Sequence, residues 1–548
     1  MTTGRDRRTA ARAAACGLAL AATLALGACG RSGQSGAGGA YSVQGGNVLR
    51  YALQSRPTTL DPALVEDGDT IDLLMQVFEG LVQWDVSNQV VPNLAEKWDV
   101  SPDGKVYTFH LNPNARFQKP HARPVTADDV VYSITRCLLP ATRSPTAKTY
   151  LYDIVGAADV YEGRATAVSG LQALDPHTVR ITIDRRKPYF LGKLTYPTAY
   201  VVCREAVEKN RGAIDEKAMV GTGPFALAEY RLGYSVTLAA NPDYHGGKPI
   251  LSGIERPVLA DSNARQTRFE SGGTDITDAQ RADLSRIRQD ATLGKELREF
   301  DRANIWYLAL NQKAFAPFRD RRVRQAIAMA IDKDALIRLA LSGTAVRANG
   351  IIPPGVPGYD PSYRGLPTDP ARARALLAAA GYPGGKGFPR LTISFRQGYR
   401  YIEDCVVAIR SDLKRSLGIE VDIQQVEWAQ FLTQRSDGTM PCYCLRWSAD
   451  YLDPQNFLSL MLHSGSPENS IGYHSREFDG LCDRADVEPD PARRIALYRQ
   501  AERVAVEDAP WVCLYHLHDV ELHKPYVKGI RDSLMGHLPH VTTSVARH

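Results

Sequence analysis

The chain has 548 residues, 44% of them hydrophobic and 23% charged, with a formal net charge of +5. That balance is ordinary for a globular protein, and a small excess of scattered basic residues gives no support to nucleic-acid binding. The length exceeds what one core organises, so two or three domains are expected, and no apolar run after the first thirty residues approaches a membrane span.

The amino-terminal segment reads as a leader. Arg5, Arg7, Arg8 and Arg12 precede an apolar stretch from Ala13 to Ala28. It is shorter than the roughly 20 residues a membrane helix needs and fits a secretory signal. Arg7-Arg8 lacks the apolar residues expected soon after a twin-arginine pair. The stretch ends in Leu26-Gly27-Ala28-Cys29-Gly30, small residues ahead of a single Cys, which resembles the bacterial lipobox. This implies a signal peptide over 1–28 and lipid on Cys29, where two or more acyl chains would anchor stably. Gly30 to Gly46 is nearly all Gly, Ser, Ala and Gln, the composition of a flexible tether.

The body is expected to open with a strand over Asn47–Leu53, followed by a turn at Thr59-Leu60-Asp61-Pro62. The spacing of Leu74, Val77, Phe78 and Leu81 predicts a helix over Ile71–Leu81. Pro102-Asp103-Gly104 is a turn, and Val106–Leu111 alternates as a strand. Thr126-Ala127-Asp128-Asp129 has the spacing of a capping box at a helix start. Val179, Ile181 and Ile183 predict another strand. Gly221-Thr222-Gly223-Pro224-Phe225 is a tight turn before a strand, and it lacks the third Gly and following helix of a dinucleotide loop.

The second half is richer in helices. Val323, Ala326, Ile327, Ala330 and Ile331 form one apolar stripe. Asp369-Pro370 and Gly381 bracket a helix. Asp490-Pro491 starts another, with Leu497, Ala501 and Val504 on one face. Strands near Leu391–Phe395, Ile419–Gln424 and Trp511–Tyr515 lie between these helices, the last reading as half-buried. Alternation of strands and helices predicts an α/β lobe.

Seven cysteines remain once Cys16 and Cys29 are set aside: Cys137, Cys203, Cys405, Cys442, Cys444, Cys482 and Cys513. Export permits disulfides, but an odd number leaves one thiol free or paired between molecules. Cys442-Tyr443-Cys444 lacks the second pair a zinc site needs. His516 and His518 share a strand face and have a metal alternative, although a half-buried strand is the simpler reading. No metal or other cofactor is assigned. No internal repeat and no G-x-S-x-G or H-E-x-x-H signature is present.

The most informative stretch is Trp447-Ser448-Ala449-Asp450-Tyr451-Leu452-Asp453-Pro454-Gln455-Asn456-Phe457. An apolar run over Cys444–Trp447 suits a strand end, and Asp450 leaves it for a loop. A carboxylate placed there suits a cationic group such as an amine. The alternative is an Asp that caps the following turn.

Across the mature chain the sequence resembles the family 5 extracellular solute-binding proteins of ABC importers, which include dipeptide, oligopeptide and nickel binders. The blocks that carry the resemblance come in order. They are Val91–Trp98, Ser101–Phe109, Pro124–Val130, Gly221–Phe225, Asn311-Gln312, Asp320–Asp332, Trp447–Asn456, Phe478-Asp479 and Glu507–Trp511. The resemblance implies a type II periplasmic-binding-protein-like α/β fold of two lobes joined by a hinge. The N-terminal lobe would span 47–303, with a subdomain over about 72–205. The C-terminal lobe would span 304–515, and 516–548 would return to the first lobe.

A ligand would bind in the cleft and be delivered to a membrane permease driven by a cytoplasmic ATPase, with no bond broken. In the family's peptide binders, an Asp in a motif like Trp447-x-x-Asp450 holds the α-ammonium. Asp450 is therefore the expected amine partner, with the backbone of Trp447, Ser448, Ala449 and Tyr451 available to an extended peptide. Glu66, in a loop facing the cleft in relatives, and Arg446, a candidate for a ligand carboxylate, complete the expected set. The protein is expected to be a monomer held by lipid on the outer face of the membrane. A receptor for a sugar, an opine or a nickel chelate, or a signalling receptor, is the alternative on the same scaffold.

Overall fold

The computed structural model describes residues 41–546; Cys29 and the expected signal and most of the tether lie outside them. Local chemistry sets most elements where the sequence places them. The Thr126 backbone N–H donates to Asp129 Oδ2 at 2.9 Å, closing a capping box on the helix Ala127–Leu138. Asp320 caps Arg321–Ala330 and Asp369 caps Pro370–Ala379, each satisfying N–H groups that a helix start leaves unpaired.

Three elements depart from expectation. The first helix runs Gly68–Leu74, starting where Asp67 accepts the Thr70 N–H at 3.0 Å. It stops well short of Leu81, because the carbonyls of Gln76 and Val77 instead accept from Phe225 at 2.9 Å and Gly223 at 2.8 Å. A Cβ on Gly221 would fall 1.9 Å from the Val77 oxygen, so only Gly fits this close approach. The long helix Pro491–Asp508 buries Arg494, Tyr498, Ala501 and Ala505, with Leu497 and Val504 only partly covered. Its inward face is rotated because Arg494 grips Asp453 at 2.6 and 2.8 Å. The strand Trp511–Leu517 is buried at every residue rather than half-buried.

That last difference follows from a sheet covered on both faces. Six strands run in the order Ala345–Arg347, Trp511–Leu517, Asn304–Leu310, Cys442–Ser448, Leu391–Arg396, Val421–Val426. Along Asn304–Leu310, Trp306, Leu308 and Leu310 enter one apolar core, while Ile305, Tyr307 and Ala309 enter another. Period-two alternation thus feeds two cores from one strand.

The other half is built from smaller sheets. Val48–Arg50, Gly253–Pro257, Ser235–Ala240 and Phe225–Arg231 form one. Ala95–Val100, Val106–Leu111, Thr178–Thr182 and Leu171–Asp175 form an antiparallel second, packed on Ala127–Leu138. The third is Ile276–Asp278, Asp519–His523 and Leu297–Phe300.

The chain passes between this third sheet and the six-stranded one twice, through residues 301–303 and through His518. The passages are cross-linked. Arg302 Nε donates to Asp519 Oδ2 at 2.7 Å, and Asn304 Nδ2 donates to the Leu517 carbonyl at 2.7 Å. After the second passage the chain joins the first half's core through Val527 and Val545. No helix among the described residues is long and apolar enough to cross a membrane.

Candidate functional site

The site begins where the strand Cys442–Ser448 runs out. One edge pairs with Asn304–Leu310 along its whole length. The other pairs with Leu391–Arg396 only at Cys442, Tyr443 and Cys444. Among the described residues, no strand covers that second edge over Leu445–Ser448. Main-chain groups at such an edge are the usual template for an added strand.

The following loop is closed by Asn456, which is fully buried. Its Oδ1 accepts from the Trp447 indole Nε1 and from the Asp450 backbone N–H, both at 3.1 Å. Asp453, not Asp450, caps the short helical turn Pro454–Asn456, accepting the Gln455 N–H at 2.9 Å. The Asp450 side chain is thereby left free of local backbone duty.

Asp450 instead meets the first half of the chain. Its Oδ2 accepts from the Tyr150 hydroxyl, and the Tyr150 ring stacks on Tyr196 at 3.9 Å. Burial pushes its pKa up to about 7, and the negative Glu468 adds to this, whereas the Tyr150 hydrogen bond and the nearby Asn456 side chain pull it down. Among the described residues no cation pairs directly with Asp450; Arg435 is already taken by Glu468 at 2.8 Å.

Glu66 belongs to the same acidic surround. Its side chain reaches solvent, yet desolvation, and then Glu468, raise its pKa. Tyr196 feels Asp450, Glu468, Glu66 and Asp67 together. The surround therefore carries more negative than positive charge, which favours a cationic ligand group.

A second contact between the halves lies at Asp69. Arg396 reaches it at 2.9 Å and lies over the Trp428 ring at 4.3 Å. Burial works against ionisation of Asp69, but Arg396 outweighs it and holds the carboxyl below its ordinary range. Beside it, the Tyr399 hydroxyl donates to Gln54.

The remaining expected residues divide. Ser448 is exposed. Ala449 is buried, and its N–H is spent on the Ala303 carbonyl at 2.8 Å. The Tyr451 side chain is 1% exposed and enters the apolar core of the first half, so it offers no surface to a ligand. It lies against Gly192, where a Cβ would come within 2.8 Å of the Tyr451 Cβ. Arg446 turns toward Asp519, at 3.8 Å. Cys442 and Cys444 are both buried free thiols. His516 Nδ1 is bonded to the Asn304 carbonyl at 2.7 Å, whereas His518 pairs with Asp301 at 2.8 Å.

Sequence reasoning missed Tyr150, Tyr196, Glu468, Arg435, Asp69 and Arg396. Only Asn456 stood inside a singled-out stretch.

Comparison with known proteins places these features in context. The model of the bacterial extracellular solute-binding proteins, family 5 Middle, matches residues 89–469. The chain is 32% identical over 492 residues to the probable deoxycholate-binding periplasmic protein YgiS of Escherichia coli, covering 88% of this chain and 90% of that one. It is 32% identical to di/tripeptide-binding protein 2 of Pseudomonas aeruginosa, covering 89% and 93%.

The murein tripeptide-binding protein MppA of Escherichia coli superposes with a TM-score of 0.85 at 26% identity, covering 92% of this chain and all of that one. Against the unliganded open form of MppA the score is 0.68, covering 91% and 98%. The fold is that of the type II periplasmic peptide-binding proteins, built for holding solutes rather than for catalysis. The chain belongs to the bacterial extracellular solute-binding protein family 5.

Proposed function

We propose that this protein is the substrate-binding component of an ABC importer that captures short peptides between its two halves, with Asp450 receiving the peptide α-ammonium. The observation that carries this reading is a carboxylate that, among the described residues, has no directly paired cation and stands at the end of a strand whose edge is open over Leu445–Ser448. A charge-assisted hydrogen bond to an ammonium is worth about 1.5–3 kcal/mol. The open edge offers sequence-tolerant main-chain pairing. The acidic surround of Glu66, Glu468 and Asp67 disfavours an anionic ligand group at this end of the cleft.

In this reading the lobes span 47–303 and 304–515, with a subdomain over about 72–205 and a return segment over 516–548. Residues 301–303 and His518 act as the hinge. Trp447 and Ser448 contribute backbone, Ala449 and Tyr451 shape the loop, and Glu66 tunes the field. Arg446 stands beside the open edge and receives a ligand carboxylate. Residues 1–28 are removed as a signal, Cys29 carries lipid, and 30–46 tether the body to the outer membrane face. The loaded form is handed to the permease.

The test is calorimetric titration of the purified, ligand-stripped protein with a pool of di- to pentapeptides and with the same pool N-acetylated. Binding of the free-amine pool alone supports the reading. Equal binding of both pools removes the amine role from Asp450. Silence from both sinks peptide capture and moves the ligand to a sugar, an opine or a nickel chelate.

A further inference from the structure

Remote in sequence from the Trp447–Asn456 loop, the return segment brings three metal-ligating side chains together. Glu521 and His523 are two residues apart on the strand Asp519–His523, so they leave it on the same face. A short hairpin, Asp532–Ser533 with Gly536–His537, adds His537 from farther along the chain. Glu521 Oε2 lies 2.6 Å from His523 Nε2 and 2.9 Å from His537 Nε2. One donor atom from each of the three falls within 4.8 Å of the others.

The surroundings are those of a prepared site. The other nitrogen of His537, Nδ1, is 2.8 Å from Asp532 Oδ1. Arg302 in turn holds both Asp532 oxygens, at 2.8 and 2.9 Å. A carboxylate on the far nitrogen fixes which nitrogen of a ligating imidazole points inward, and such outer partners recur around metal ligands. Phe300 packs against both imidazoles, with ring centroids at 5.6 Å from His523 and 5.2 Å from His537. The Glu521, His523 and His537 side chains are 15%, 10% and 14% exposed, shielded yet reachable from solvent.

The geometry points to a binding site for a first-row divalent metal ion of the zinc type, held by Glu521 Oε2, His523 Nε2 and His537 Nε2. Two imidazoles and a carboxylate form a borderline ligand set that suits such ions better than magnesium or calcium. In a tetrahedral zinc site, ligand atoms stand about 3.3 Å apart, given bonds of about 2.0–2.1 Å. Glu521 Oε2 would have to draw back from the two nitrogens, which lie at 2.6 and 2.9 Å, by about half an ångström to admit the ion. Water would complete the fourth position. The ion would tie the strand beside the second passage to the return hairpin, independently of what the cleft binds.

A second cluster, His121, Cys203 and Glu205, is less suited, because Arg123 already grips both Glu205 oxygens at 2.6 and 2.7 Å. It serves as the control.

The experiment is titration of the purified, chelator-treated protein with zinc chloride against a chromophoric chelator, followed by cobalt(II) chloride and visible absorption. The expected result is one zinc per chain and cobalt bands of tetrahedral N/O ligation. His523→Ala and His537→Ala should each abolish both signals, and Asp532→Asn should weaken zinc about 10- to 100-fold. His121→Ala should change nothing. Circular dichroism checks folding of each variant, and the cobalt spectrum of the unaltered protein needs no variant at all. Failure of the unaltered protein to hold zinc would leave the three groups as a charge cluster and overturn the assignment. So would loss only in His121→Ala.

Discussion

Two carboxylates bridge the halves of this molecule, and they are treated oppositely. Asp69 is matched by Arg396, which lies between it and the Trp428 ring, and its carboxyl is held below the ordinary range. Among the described residues, Asp450 is met by the Tyr150 hydroxyl and by no directly paired cation, and its pKa rises to about 7. A compensated carboxylate is a latch, because its charge is already answered. An uncompensated one, kept by the fold at a cost, is where an incoming cation has most to gain.

Substituting Asp450→Asn should break the contrast most completely. Affinity for free-amine peptides should fall roughly tenfold to over a hundredfold by calorimetry, while N-acetylated peptides are unaffected. The folded pKa of Asp450 is raised, so its contribution to stability is present at low pH and lost as pH climbs through about 7. The ligand-free Asn variant should therefore melt higher than the parent at pH 8. Unchanged peptide binding would make Asp450 purely structural.

Asp69→Asn should act differently. It leaves Arg396 without its carboxylate and weakens closure, costing roughly 1–2 kcal/mol, or about tenfold in affinity, for a partly exposed pair. The preference for free over acetylated amines should survive. Loss of that preference would move the amine site to Asp69.

The pH profile sharpens the comparison without any substitution. Below about pH 7 Asp450 takes up a proton in the free protein, and an ammonium needs the ionised form. Affinity should fall by up to about tenfold per pH unit below 7 and stay flat in Asp450→Asn. Tyr150→Phe should have the smallest effect, a few-fold loss at neutral pH. It also removes a bond that favours the ionised carboxylate, so the midpoint should move upward. A downward move would contradict the assigned hydrogen bond.

Much of the frame was legible because its causes are local. Thr126 and Asp129 sit three residues apart, and the Val106–Leu111 alternation matches the strand found. Asp450 could be placed at a strand end from the apolar run before it. What decides its chemistry could not be read this way. Tyr150 is 300 positions away, and no periodicity links it to the Trp447 stretch.

The helix drawn over Ile71–Leu81 failed for the same reason. Its apolar spacing is real, but Gly223 and Phe225, far along the chain, claim the carbonyls that would have continued it. Attention to strand pairs found Cys442/Cys444 and His516/His518, whereas the cluster that converges takes Glu521 and His523 from the next strand and His537 from a hairpin.

The seven thiols carry one last consequence. All are buried and unpaired, and burial pushes Cys137, Cys405 and Cys513 up to about 12. The thiolate is the reactive form, so in an oxidising compartment the native fold acts as an antioxidant for its own sulfur. Unfolding would release these seven described thiols at once as competing nucleophiles, with no native pairing among them to return to. Any procedure that strips ligand by denaturation will recover the protein only under reductant, and the yield with and without it will report how fast the chain buries its cysteines.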